Sequence, residues 1–172
     1  NYVKTGATPN SVYSFFRVEL IDGGGLPTAR VLSVDLLPKP AAFPAFGPAP
    51  KAYRIRRLRS LNAQPAVLEE IWLDGDQAAQ LSTSELSHSL YLYYRNVFKL
   101  WITEAEDRLG LEPVPQWAPD GFDPSPGTPC RFAARLSRSQ TGETVEYSQS
   151  SVYPCRTSTG PRTGSAMGTR WA

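Results

Sequence analysis

The chain has 172 residues, 41% of them hydrophobic and 20% charged, with a formal net charge of +2. That length predicts one domain, able to bury roughly 70% of the surface its unfolded chain exposes. The near-neutral balance argues against a nucleic-acid-coating protein, which would carry a concentrated basic face, and no apolar run reaches about 18 residues, so no transmembrane helix is expected.

The N-terminal NYVKTGATPNSVYSFF lacks the charged-then-apolar layout of a signal peptide. With no start methionine, the chain reads as a fragment or a processed product. From Ser11 to Leu20, Val12, Phe15, Phe16 and Glu19 sit at helical spacing, with Ser11 or Ser14 as the cap. DGGGLP, from Asp22 to Pro27, breaks the chain. Arg30 to Leu37 reads as a strand. The following PKPAAFPAFGPAP is a surface connection, because proline removes backbone donors.

Tyr53 to Ser60 reads as a strand, SLNAQP as a turn, and Ala66 to Leu73 as the second strand of a hairpin. Apolar residues fall on both faces of that second strand, which predicts a sheet covered on both sides. After a polar connection, Ser89 caps a helix, LYLYYRNVF. From Lys99 to Leu111 two signals compete. Thr103-x-x-Glu106 fits a capping box with Gly110 as the stop, whereas KLWIT looks like a strand. Pro113 to Pro129 is a proline-rich loop. Cys130 to Ser137 and Thr144 to Tyr153 form a second hairpin. Residues 157–172 are Gly/Ser/Thr-rich and are expected to be a poorly ordered tail.

Two cysteines, Cys130 and Cys155, do not make a disulfide framework. Free thiols in a reducing cytoplasm are the expectation, with a single bridge left open. His88 is the only histidine, which argues against a zinc site and a Ser-His-Asp triad. Gly23 to Gly25 lacks a following Lys-Ser/Thr and is a turn rather than a phosphate loop. No metal or cofactor is expected.

The densest chemistry lies in YRIRRLRSLNAQPAVLEEIWL, Tyr53 to Leu73. On a strand, Arg57 and Arg59 share a face with Tyr53 and Ile55, about 7 Å apart. They repel each other unless something anionic sits between them. One reading is outward-pointing side chains or pairs with Glu69 and Glu70. The other is an anion site, because the arginine fork matches carboxylate or phosphate oxygens.

RIRRLRSLNAQPAVLEEIWL resembles the signature of the UTRA domain, the ligand-sensing half of GntR-type bacterial transcriptional regulators of the HutC subfamily. SLY at Ser89 to Tyr91, SPGTPCRF, and GETVEYSQSSVYPCR resemble the further family motifs, in the family's order. The resemblance runs from Ser14 to Arg156 and makes residues 1–156 the effector-binding domain. It implies an α+β fold similar to chorismate lyase: a twisted antiparallel sheet flanked by helices, with a ligand pocket on one face. It also favours strand over helix for Lys99 to Leu111.

The resemblance places ligand contacts on Ser14, Arg57, Arg59, Glu69, Ser89, Tyr91, Glu146 and Tyr153. Ser14, Arg57, Arg59 and Ser89 form an anion subsite, and Glu69 and Glu146 accept from the polar remainder. For Glu69 to share the face of Arg57, the hairpin must pair positions of equal parity, and sequence does not fix that register. The family's closing Asp-Arg is here Pro154-Cys155-Arg156. On a regular strand Glu146 and Tyr153 face opposite sides, so a bulge is needed for both to reach one ligand.

The implied function is effector sensing: a small anionic effector, a phosphorylated sugar or a carboxylate, modulates DNA binding by an N-terminal winged helix-turn-helix domain absent from this chain. The implied partners are a second copy of the chain, as a homodimer, and DNA through that missing domain only. The implied location is the cytoplasm, without membrane association. The competing class is an enzyme on the same fold, a small lyase acting on an aromatic acid, which could hold its substrate with the same arginines and glutamate.

Overall fold

A computed structural model describes residues 2–5, 17–20, 27–81, 83, 84, 86, 89–152 and 167–170. The arginine-rich segment forms strand β4, Lys51–Leu61, and the segment after it forms β5, Gln64–Asp74. The turn between them is only Asn62-Ala63, both at positive φ (49° and 65°), a tighter connection than the expected SLNAQP. That backbone matches the right-handed twist of the flanking strands. A bulge between Arg59 and Ser60 lies where Ser60 meets Pro65, at the start of β5. Proline cannot donate to a ladder, so an irregularity suits that position.

The remaining elements are β1 (Tyr2–Thr5), β2 (Arg17–Leu20), β3 (Pro27–Pro38), helix α1 (Leu90–Tyr93), β6 (Ile102–Pro113), β7 (Pro129–Ser139), β8 (Thr144–Val152) and β9 (Met167–Arg170). Seven strands form one antiparallel sheet in the order β1-β6-β7-β8-β5-β4-β3, and β2 pairs with β9.

The core divides between the two faces of the sheet. On one face α1 and the π-helical turn Tyr94–Phe98 pack Leu90, Tyr93 and Tyr94 against Tyr53, Ile55, Ile71 and Leu73. Ala78 and Leu81, from the connection that reads as polar, are buried in the same cluster. On the other face Phe46, Ala52, Trp72 and Tyr147 form one cluster and Leu58, Leu68, Val114, Phe122 and Cys130 another. The Pro-rich connection is thus a cover rather than a mere surface link. Phe43 meets Trp72 edge-on at 5.6 Å and 82° and Tyr147 at 4.8 Å. Lys39 holds the cover down by pairing with buried Asp74 and donating to the carbonyls of Phe46 (2.5 Å) and Gly47 (3.0 Å).

Two expectations are corrected. Arg17–Leu20 is a strand, not the end of a helix. Its partner, Met167–Arg170, lies in the segment expected to be disordered. Backbone pairing needs no apolar period, so the tail's composition gave no sign of it. Between Lys99 and Leu111 the strand that the resemblance favours is the one observed: β6 runs through Thr103-x-x-Glu106, and the Thr103 hydroxyl donates to the Ser139 carbonyl at 3.0 Å. Tertiary pairing overrides the local signal there. Ser14, His88, Tyr153 and Cys155 lie outside the described residues. Among the described residues no helix is long and apolar enough to cross a membrane.

Candidate ligand-binding face

The register of five strands sets the side chains of the α1-covered face in rows. One row is Ala105, Ser137, Glu146, Leu73 and Tyr53 across β6, β7, β8, β5 and β4. The next is Asp107, Arg135, Ser148, Ile71 and Ile55, and the next Leu109, Ala133, Ser150, Glu69 and Arg57. An inward sheet face of this kind is ordinarily aliphatic. Here Asp107, Arg135, Ser137, Glu146, Ser148, Ser150, Glu69 and Arg57 are all buried. Buried polar groups are costly unless they are paired, so their partners decide what this face is for.

Arg57 stands opposite Glu69, the equal-parity pairing that the motif requires. Its Nε and Nη2 donate to Glu69 Oε2 at 2.9 and 2.5 Å. Arg59 Nη1 reaches Glu69 Oε1 at 3.4 Å, a longer contact. The anion that separates the two arginines is therefore Glu69 itself. Burial alone would raise the Glu69 carboxyl, but the charges and hydrogen bonds of Arg57 and Arg59 outweigh it and hold it below its usual range. Arg54 and Arg56 point to the other face, where they pair with Asp35 and Glu70, and Arg56 stacks over Trp117.

A second cluster surrounds Glu146. Its Oε1 accepts from the Ser137 hydroxyl at 3.0 Å and from the Tyr91 hydroxyl at 3.1 Å. Its Oε2 has no hydrogen-bond partner, nor does the neighbouring Tyr94 hydroxyl, which adjoins it without forming an aligned bond. Burial pushes the Glu146 carboxyl up, against the hydroxyls around it. Burial and then the Glu146 charge push the Tyr91 hydroxyl above its usual value.

Ser89 is the N-cap of α1, and its hydroxyl accepts from the Leu92 N–H at 3.4 Å. It serves a single α-helical turn followed by a π turn. Thus Arg57, Arg59 and Glu69 form one cluster and Tyr91 and Glu146 another, on the same face and tied by the β5–β8 ladder.

Beyond the motifs lies a third cluster. Arg135 donates from Nε and Nη2 to the two carboxylate oxygens of Asp107, both at 2.6 Å. Burial opposes the Arg135 charge, but the bonds and charge of Asp107 and Tyr91 outweigh it and hold the guanidinium more firmly protonated than usual. The readable signal for this cluster was the alternation Glu146, Ser148, Ser150 on one strand and Arg135, Ser137 on its neighbour. Polar residues at every second position, inside two predicted strands, mark a polar inner face.

The chain resembles known proteins over most of its length. Residues 22–154 match the model of the UTRA domain. The HTH-type transcriptional regulator SmoD of Agrobacterium fabrum is 51% identical over 148 residues, covering 86% of this chain; the chain spans 63% of that regulator's length. A ligand-binding domain assigned to the GntR family of transcriptional regulators, from Bordetella bronchiseptica, superposes with a TM-score of 0.70 at 22% identity, covering 82% of this chain and 92% of that one. The effector domain of PhnF from Mycobacterium smegmatis gives a TM-score of 0.58 at 17% identity, over 74% of this chain and 80% of that one. With the family model matched over most of its length and a regulator at half identity beside it, this chain belongs to the UTRA domain family.

Proposed function

We propose that this UTRA domain is the effector-sensing part of a HutC-type, GntR-family regulator, and that it binds a small anionic metabolite on the α1-covered face. The observation that carries the reading is the polar inner face: two arginines, two glutamates and a row of serines stand where a sheet would otherwise bury aliphatic side chains. Arg57 and Arg59 hold the anionic group together with Ser14 and Ser89. Glu69, Glu146, Tyr91 and Tyr153 contact its polar remainder. The fold is of the chorismate-lyase kind, with the pocket on this face.

The role is binding rather than catalysis. Glu69 is held ionised between two guanidiniums, so it suits a fixed acceptor rather than a proton shuttle. The protein acts in the cytoplasm as a homodimer, which sets the spacing of two DNA readers on a palindromic site. Effector binding shifts the population of DNA-competent arrangements. DNA is read by another domain, in keeping with the +2 net charge of this chain.

Mass spectrometry of ligand co-purifying with the domain, followed by titration calorimetry, tests the reading. An anionic metabolite that binds and raises the melting temperature is expected. Sequence-specific DNA binding by this chain alone, or a bound ligand without any anionic group, would overturn it.

A further inference from the structure

The third cluster, Arg135 and Asp107, is absorbed neither by the motifs nor by the roles given above. Both side chains are buried, and they meet in a two-pronged ion pair between β7 and β6. As a stabilising device such a pair is weak, because well-packed apolar side chains of similar volume do as well or better at a buried site. The other face of β7 uses that apolar solution: Ala134 and Leu136 pack against the Trp72–Tyr147 cluster.

The sheet neighbours of Arg135 are small. Its neighbour in the row is Ser148, with Ala133, Ser150 and Ser137 around them. These small side chains form a floor between two charged clusters. Arg57 turns towards Glu69 on β5 and Arg135 towards Asp107 on β6, so the serines of β8 lie between the two. From β4 to β7 the backbone spans three strand spacings, about 14 Å. That is wider than a bare phosphate or carboxylate, and it suits a ligand with an anionic end and a hydroxylated body.

A guanidinium locked beside a carboxylate offers donors and acceptors side by side, the complement of adjacent hydroxyl groups. Asp107 fixes the plane of the fork, so little side-chain freedom is lost when a ligand binds. Tyr91, which hydrogen-bonds Ser137 and Glu146, adjoins the same guanidinium and links it to the Glu146 cluster.

We infer that Arg135, oriented by Asp107, is a specificity-determining contact for the hydroxylated part of the ligand, at the end of the site away from Arg57 and Arg59. This rests on the binding face proposed above. Arg57 and Arg59 recognise the charge, and Arg135 distinguishes a hydroxylated ester or acid from the bare anion.

The test is calorimetry with two sets of probes: inorganic phosphate and acetate as bare anions, and a panel of glycerol, pentose and hexose phosphates and sugar acids. Wild type is expected to bind a panel member at least about tenfold more tightly than the matching bare anion. In Arg135→Met the bare-anion affinity is expected to stay the same within about threefold, while the preference for the hydroxylated probe falls to threefold or less. Asp107→Asn should lower the preference in the same direction, through loss of orientation. If Arg135→Met does not fold, Arg135→Lys is measured instead; it keeps a charge for Asp107 but lacks the fork, and should lose most of the preference. An unchanged preference in a folded variant overturns the inference, as does a wild type that binds bare anions with no preference for any hydroxylated probe. A wild type that binds neither set overturns the binding face itself.

Discussion

Arg57 on β4 and Glu69 on β5 face each other across the ladder, and Arg57 donates twice to one oxygen of Glu69, at 2.9 and 2.5 Å. Both side chains are buried. This relationship changes what the arginines mean for the folded chain. Two like charges on one strand face would favour removal of either one. With Glu69 between them, Arg57 holds a buried carboxylate that cannot turn back to water.

Arg57→Ala is therefore expected to destabilise the domain by roughly 3–5 kcal/mol, because it leaves a buried carboxylate without its main partner. The double variant Arg57→Ala/Glu69→Gln should recover a substantial part, since the orphaned charge goes with it. Urea unfolding of the three proteins checks this. Equal stability of Arg57→Ala and wild type would show that the pair is solvated and inert.

Glu69 and Glu146 give opposite pH dependences. The folded value of Glu69 lies below its ordinary 4.5, so its contribution is present above that pH and is lost as pH falls through the lowered value. The folded value of Glu146 lies above 4.5, so the stability of its neutral form is present below that pH and is lost as pH rises through the raised value. Glu146→Gln keeps an acceptor for Tyr91 and Ser137 and offers an amide donor to the Tyr94 hydroxyl. It is expected to raise the melting temperature at about pH 7.5 by roughly 1–4 °C, for a gain of about 0.5–1 kcal/mol. Near pH 4 the gain should shrink to nothing, because both side chains are then neutral. Destabilisation at neutral pH would mean that Glu146 is ionised and well served where it stands.

The cover over the opposite face supplies a prediction on stability alone. Gly47 has φ +56°, and a Cβ there would overlap the carboxyl of Asp74, the group that Lys39 and the Ala49 N–H hold. Gly47→Ala is expected to cost roughly 2–4 kcal/mol, from backbone strain and overpacking together. Gly127 has φ +87° with nothing near its missing Cβ, so Gly127→Ala should cost only the backbone share, about 1 kcal/mol. Thermal melts of the two variants separate the terms. Equal losses would show that Asp74 moves aside freely.

Much of this was legible beforehand, and the reasons can be stated by residue. The β4–β5 hairpin was readable because β-branched and aromatic residues surround a short polar turn, and the family motif demanded the Arg57–Glu69 register that the ladder shows. Ser89 was readable as a cap because it directly precedes an apolar helical run. Arg17–Leu20 was not, since its partner lies about 150 residues away in a segment without apolar periodicity. In the sequence Arg135 and Asp107 each look like an ordinary surface charge. Only the pairing of β6 with β7 brings them opposite each other. The motif makes Glu69 a ligand acceptor, whereas the pairing shows that it also neutralises the arginines assigned to the anion.

The pairing with Glu69 sets the two arginines apart. Arg57 is committed to Glu69 by two close hydrogen bonds, whereas Arg59 makes the longer 3.4 Å contact and is the more exposed of the two. The Arg57 side chain is the more deeply buried, so the proposed ligand is expected to meet the Arg59 guanidinium first. Arg59→Ala is expected to lower affinity for the co-purified effector about tenfold to a hundredfold, the loss of one charge-assisted contact worth roughly 1.5–3 kcal/mol. Arg59→Lys should recover part of it, because an ammonium supplies the charge but not the planar fork. The stability of the ligand-free domain should change by less than about 1 kcal/mol, as for a partly exposed ion pair. Titration calorimetry of the three proteins beside their thermal melts makes the comparison. Equal affinity in all three would end the anion-site reading of Arg59, and a large loss of stability would place it with Arg57 as a structural partner of Glu69.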